Sequence, residues 1–169
     1  MNADWEYLLW GPQDRPGPPR VSFALRRHAA VQTARGLRLL HQDGWGPAHR
    51  VLRDLRPGPG ADAHGSLPPP VAVRLAHREL PGSHIVLRLC EPNALCLPRS
   101  FAFALWLSAL GLPAEVVVAR QRTSVSARFA FHAWTELHGE VLNDIPGVRT
   151  GYGVLQRVSS RHLAGAGAR

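Results

Sequence analysis

The chain has no lysine. Its 20 strongly basic side chains are all arginine, set against 12 acidic residues, for a net charge of +8 over 169 residues. Arginine and alanine in place of lysine is what a GC-rich bacterial genome produces. The functional reading of the same excess is a basic surface that draws an acidic partner, either nucleic acid or an acidic peptide. The arginines are spread along the chain without a five-residue basic run, and no nucleic-acid motif accompanies them, so nucleic acid is not an expected partner. Cysteine is also scarce: Cys90 and Cys96 are the only two. That excludes a disulfide scaffold. Their spacing does not make a zinc knuckle, and the nine scattered histidines supply no pair at ligand spacing. No metal or other cofactor is therefore expected. No uninterrupted apolar run reaches 18 residues, so no transmembrane helix is expected. Asp4 and Glu6 stand where a signal peptide would be basic, and no apolar stretch follows. The expected location is the cytoplasm, away from membranes.

What is present suits one globular core. The hydrophobic fraction is 45%, and the length is too short for two ordinary domains with linkers. Trp5, Tyr7, Leu8, Leu9 and Trp10 make a short amphipathic opening, followed by a breaker-rich linker to residue 19. Ser22 is placed to cap a helix over residues 23–41, with Leu25, Ala29, Leu37 and Leu40 at helical spacing. A shorter helix is expected over 47–55, with Pro47 in its first turn. Residues 57–70 are rich in Gly and Pro and read as the least ordered interior stretch. Residues 71–79 read as helix and 84–89 as a strand or extended approach. Residues 100–110 are apolar on nearly every side, which marks a buried central helix. Gly111 caps it and Pro113 stops it. Three strands follow, over 114–120, 129–137 and 140–145, and a small polar tail beyond Ser159 is expected to fray. Helices followed by antiparallel strands read as α+β. Residues 1–80 form an N-terminal helical region, 81–158 the core that carries the chemistry and 159–169 a flexible tail, all within one compact domain.

Three residues carry the chemistry. Cys96 opens the buried helix, with Pro98 in its first turn, and a helix N-terminus favours thiolate over thiol. His132 lies on the following apolar strand and Asp144 near the end of the next. A two-residue turn at His138-Gly139 would point His132 and Asp144 to opposite faces. A three-residue loop, Leu137-His138-Gly139, sets Glu136 against Glu140 and His132 directly opposite Asp144. That register is the expected one, because it gathers Phe129, Phe131, Ala133, Val141 and Ile145 on the other face and sets Trp134 and Leu142 beside the His–Asp pair. Cys96 is then the nucleophile, His132 its base and later acid, and Asp144 the group that orients the imidazole. The Cys96 backbone N–H is the expected oxyanion donor, and Asn93 could add a side-chain donor, although a turn role after Pro92 fits it equally. Asn143 rivals Asp144 as third member, but its expected face points away. Ser100 is expected to satisfy a backbone group in the first turn, Arg99 to pair with a carboxylate of protein or substrate, and Cys90 to be structural.

Taken together, Cys96-Leu97-Pro98-Arg99-Ser100, then Gly111-Leu112-Pro113-Ala114, Phe131-His132-Ala133-Trp134 and Val141-Leu142-Asn143-Asp144, resemble the B2 proteins of lasso-peptide biosynthesis. These are transglutaminase-like leader peptidases. The resemblance is strong over residues 95–158 and loose over 21–79. It implies a papain-like, transglutaminase-like fold with a Cys96–His132–Asp144 triad. It implies cleavage of the leader from a ribosomally made precursor peptide. The implied partners are a small leader-binding recognition-element protein (B1) and an asparagine-synthetase-like cyclase that closes a macrolactam ring. The stretch 81–95 looks like an insertion ahead of the cysteine, and the first 80 residues lack the strand pattern of a fused leader-binding domain, which suggests a discrete peptidase. Two other readings remain. One is another acyl transferase on the same scaffold. The other is a non-catalytic peptide-binding module, against which the complete triad argues.

Overall fold

A helix as apolar as residues 100–110 must be covered on all sides, and the rest of the chain is arranged to cover it. The computed structural model describes residues 17–123 and 130–163. In chain order the elements are α1 (Phe23–Asp43), α2 (Trp45–Asp54), α3 (Asp62–Gly65), α4 (Pro69–Cys90), α5 (Cys96–Ala109), β1 (Ala114–Gln121), β2 (Phe131–Leu137), β3 (Glu140–Val141), α6 (Val148–Gly151) and β4 (Tyr152–Ser159). The opening at Trp5–Trp10, the start of the linker, Phe129 and residues 164–169 lie outside the described residues. The strands make one antiparallel sheet in the order β3-β2-β1-β4, so the architecture is α+β as expected. Helix α5 lies between α1 and α4 on one side and β1 and β2 on the other. Every residue from Ser100 to Ala109 is buried. Among them Phe101, Phe103, Leu105 and Leu107 are fully enclosed, each contributing about 1.5–3 kcal/mol of apolar burial.

Ser22 caps α1 as expected, its side-chain oxygen accepting the Leu25 N–H at 3.2 Å. Glu79 of α4 is buried and takes a bidentate pair from Arg26 of α1, at 3.0 and 2.7 Å, which joins those two helices. Among the described residues no helix is long and apolar enough to cross a membrane.

Four local expectations are corrected. First, α4 runs unbroken through Pro81 and takes in the segment read as a strand over 84–89. Pro81 and Gly82 look like a helix end, but packing overrides them: Gly82 lies against the Trp106 indole so closely that a Cβ there would come within 2.6 Å of the ring. Most of the stretch 81–95 is thus the second half of a core helix, and the division at 80/81 falls inside it.

Second, the Gly/Pro-rich stretch 57–70 is ordered and closes the C-terminal end of α5. The last carbonyls of a helix have no partner within it. The Gly58 N–H bonds the Ala109 carbonyl at 2.9 Å, and the buried His64 donates Nδ1–H to the Leu110 carbonyl at 2.8 Å. Third, the chain does not fray at Ser159: Ser160 and Leu163 are buried, and the Ser160 hydroxyl donates to the Leu55 carbonyl at 2.7 Å. Fourth, β4 was not expected at all, and the third strand is only two residues long.

Gly111 sits at φ +87° with Ala61 pressed against it, a Cβ there falling 2.4 Å from the Ala61 carbonyl oxygen. Gly139 has a similar φ of +82° but open space around it. Gly139→Ala is therefore expected to cost only the left-handed strain, about 1–2 kcal/mol. Gly111→Ala adds a backbone clash and is expected to cost clearly more, at least ~3 kcal/mol. Urea unfolding of the two variants checks the order.

Candidate active site

The site is built where the N-terminus of α5 meets the edge of the sheet. Cys96 is the first residue of α5, where unpaired N–H groups and the positive end of the dipole favour an anion. His132 is on β2, paired with Ala119 of β1. Its Nε2–H donates to Asp144 Oδ2 at 2.5 Å, and the Asp144 Oδ1 accepts the Ile145 N–H at 2.7 Å. Cys96 lies close enough to the same imidazole for each group to shift the other's proton affinity, and with Nε2 engaged by Asp144 the nitrogen left for the sulfur is Nδ1. The three expected residues are therefore brought together as Cys96···His132···Asp144.

The route by which they meet is not the expected one. The hairpin has the two-residue turn, with Leu137 facing Glu140 and Glu136 facing Val141, and with His138 at φ +49° and Gly139 at φ +82°. In a continued ladder that register would send Asp144 to the wrong face. The ladder does not continue. Leu142 still donates to the Thr135 carbonyl at 2.9 Å, but the next acceptor, for the Thr135 N–H, is the side-chain Oδ1 of Asn143 at 2.7 Å. Asn143 replaces a backbone partner, the chain leaves the strand, and Asp144 swings across to the imidazole. Asn143 is thus a positioning residue for the turn and not a third member of the triad geometry. The apolar cluster expected on the far face does not form: Phe131 and Ile145 are both largely exposed.

Ser100 also acts at longer range than expected. Its hydroxyl donates to the Ala133 carbonyl at 2.9 Å and accepts from Asn143 Nδ2 at 3.0 Å, while the Ser100 carbonyl accepts the Thr135 hydroxyl at 2.9 Å. Asn93 lies exposed in the turn between Glu91 and Ala94. Arg99 is exposed and donates to the Ala94 carbonyl at 3.3 Å, with no carboxylate partner among the described residues. Cys90 ends α4 exposed, with a free thiol, so it is not a core residue.

Several neighbours were not read from the sequence. Tyr152 of β4 stacks at 5.2 Å from the His132 ring, and Trp134 lies 6.1 Å from it on the same strand face. Beneath them the buried Glu136 accepts from Trp134 Nε1 at 2.6 Å, Arg149 Nε at 2.9 Å and Arg157 Nη1 at 2.8 Å. Residues 132, 134 and 136 alternate onto one face, so a polar residue two positions beyond Trp134 was the available signal. Each member of the site also has an exposed large apolar neighbour in sequence: Leu95, Phe131 and Ile145. Among the described residues no cluster of His, Cys, Asp and Glu could hold a metal ion.

Electrostatics follow from these contacts. The hydrogen bond to His132 holds the Cys96 thiol below its ordinary range; burial opposes this, and the Ala133 N–H, the imidazolium charge and the Leu97 N–H reinforce it. The same hydrogen bond raises His132 above its ordinary range against burial, with the bond to Asp144 next in effect. Together they favour a thiolate–imidazolium pair. For Glu136, burial pushes the carboxyl up, but the bonds from Arg157, Trp134 and Arg149 outweigh it and hold it below its ordinary range.

Two expectations follow. A lowered thiol keeps its charge to lower pH than a free one, so alkylation of Cys96 by iodoacetamide should titrate below the free-thiol value of about 8.5. His132→Ala should move that midpoint upward, with the reaction followed at Cys96 by peptide mapping. A depressed carboxyl adds stability that is present above its unfolded pKa of about 4.3 and is lost as pH falls through the folded value. Glu136→Gln should therefore flatten the acid limb of stability. At neutral pH it should cost ~2–3 kcal/mol, less than a fully buried pair because both guanidiniums are partly exposed, as urea unfolding across pH would show.

A helix-borne cysteine facing a strand-borne histidine that an aspartate holds can support cysteine-dependent acyl transfer. Comparison with curated proteins and with solved structures finds no significant match. A family model described as the transglutaminase-like superfamily matches residues 20–157, spanning the N-terminal helices as well as the sheet. The chain belongs to the transglutaminase-like superfamily, whose members are typically cysteine peptidases or acyltransferases.

Proposed function

We propose that this protein is a cysteine peptidase that removes the leader from a ribosomally made lasso precursor peptide before macrolactam closure. The observation that carries the peptidase reading is the continuous chain from Cys96 through His132 to Asp144, with the thiol lowered and the imidazole raised. The narrower lasso reading is supported by the combined motif, from Cys96-Leu97-Pro98-Arg99-Ser100 to Val141-Leu142-Asn143-Asp144, which resembles the B2 leader peptidases.

In this reading the Cys96 thiolate attacks the scissile carbonyl and His132 carries the thiol proton. The oxyanion is met by the Cys96 backbone N–H at the start of α5, with the Asn93 side chain as second donor. His132 protonates the departing amine, and the leader remains as a thioester on Cys96. Water then attacks the thioester with His132 as base, which frees the leader carboxylate and restores the thiol. Asp144 holds the imidazole with Nε2 protonated throughout. The partners are the precursor, the leader-binding recognition-element protein and the asparagine-synthetase-like cyclase, and the setting is the cytoplasm.

The test is incubation of the protein with a lasso precursor peptide and a leader-binding recognition-element protein, read by mass. Free leader with a carboxylate terminus is the expected product, and an amide-linked product would instead indicate acyl transfer. Cys96→Ala should lose turnover completely while still binding its partners. Leader release by that variant would falsify the mechanism.

A further inference from the structure

Where the start of α5 meets the end of α4 the surface holds a cavity that none of Cys96, His132 and Asp144 lines. It measures about 330 Å³, and its walls include His84, Leu87 and Arg88 of α4, Glu91 and Ala94 of the following turn, and Arg99 of α5. That volume lies at the low end of ligand sites and suits one side chain of a peptide. Its position is fixed by the helix that bears the nucleophile. Cys96 and Arg99 are three residues apart on α5, so their side chains are neighbours on its surface. Ala94 is two residues ahead of Cys96 on the entering chain.

The lining has one dominant sign. Neither Arg88 nor Arg99 has a carboxylate partner among the described residues. Glu91 is the one acid in the wall, and no ion pair joins it to either guanidinium. His84 is held below its ordinary range by burial and then by the charges of Arg99 and Arg88, so it stands neutral at pH 7 with both guanidiniums close by. Its Nε2 is buried and has no hydrogen-bond partner among the described residues. Two guanidiniums without a carboxylate partner in the wall of one small cavity are arranged for an anion, and guanidinium matches a carboxylate in plane and charge.

Resting on the peptidase reading above, we propose that this cavity is a substrate subsite for an acidic side chain, a Glu or Asp near the scissile bond, held by Arg88 and Arg99. The subsite selects which peptide bond is presented to Cys96, because an acidic residue anchored there sets the register of the backbone across the nucleophile. An uncharged amide of the same shape leaves both guanidiniums without an anion and is disfavoured.

Tripeptidyl chloromethyl ketones with Glu or Gln at each position in turn provide the test, with alkylation followed at Cys96 by peptide mapping. Glu at one position should react at least about tenfold faster than Gln. The Arg88→Gln/Arg99→Gln variant should lose that advantage while keeping its melting temperature, since both side chains are exposed. Equal rates at every position, or a Glu preference that survives in the variant, would overturn the subsite. The rate ratio of iodoacetate to iodoacetamide at Cys96 needs no peptide recognition. It should fall several-fold in the same variant, and an unchanged ratio also counts against the cavity. If Cys96 reacts with iodoacetamide no faster than the exposed Cys90, it is the peptidase reading that fails, and the iodoacetate ratio still reports on the anion site.

Discussion

The site depends on a polar junction of three residues, Ser100, Thr135 and Asn143. Each uses its side chain where a backbone group would ordinarily serve. The Ser100 hydroxyl links the first turns of α5 to β2 through the Ala133 carbonyl, Thr135 returns the link to the Ser100 carbonyl, and Asn143 joins both. Buried polar groups left unpaired cost about 1–3 kcal/mol each, so the three either bond together or separate together. Cys96, His132 and Asp144 hang from the three elements so joined. Their mutual geometry is a property of the junction more than of any one strand.

Around this junction the two ends of α5 are treated differently. The N-terminal end is left partly open, and its unpaired N–H groups face the thiol. The C-terminal end is closed by Gly58 and His64 from the segment ahead of α4. Satisfying one end internally and leaving the other for chemistry is a division that an all-apolar helix makes possible, because its flanks demand nothing polar. On the far face of the sheet, Glu136 gathers Trp134, Arg149 and Arg157 and so holds the indole beside His132.

Much of this was legible in the sequence wherever local pattern and tertiary role agree. The apolar run of α5, the Ser22 cap, the Val-rich strand and the helix start at Cys96 are all short-range signals, and each stands where expected. His132 and Asp144 were expected to meet and they do, but not through the hairpin register that led to the expectation. The real turn is the tighter one, and the lost residue of register is recovered by Asn143, a side chain that no periodicity argument counts. Pro81-Gly82 and the stretch 57–70 misled for a related reason. Breaker residues report backbone preference, while their outcome here is decided by Trp106 and by the carbonyls of α5, partners distant in sequence. β4 was missed because Val154 and Leu155 face outward and blur the alternation.

The brevity of β3 has a consequence beyond the placing of Asp144. A strand at the margin of a sheet exposes a row of unpaired N–H and C=O groups, which is a template for another chain. β3 is two residues long and covers only Glu136 and Leu137 of β2, and Asn143 takes up the next donor, the Thr135 N–H. The opposite margin, β4, is eight residues long, carries exposed Val154 and Leu155, and is interrupted only by the irregularity opposite Val118 and Ala119. The same side chain that completes the turn at the site thus caps one more donor of the β2 margin with an amide in place of a strand, while β4 presents the longer continuous border of the sheet.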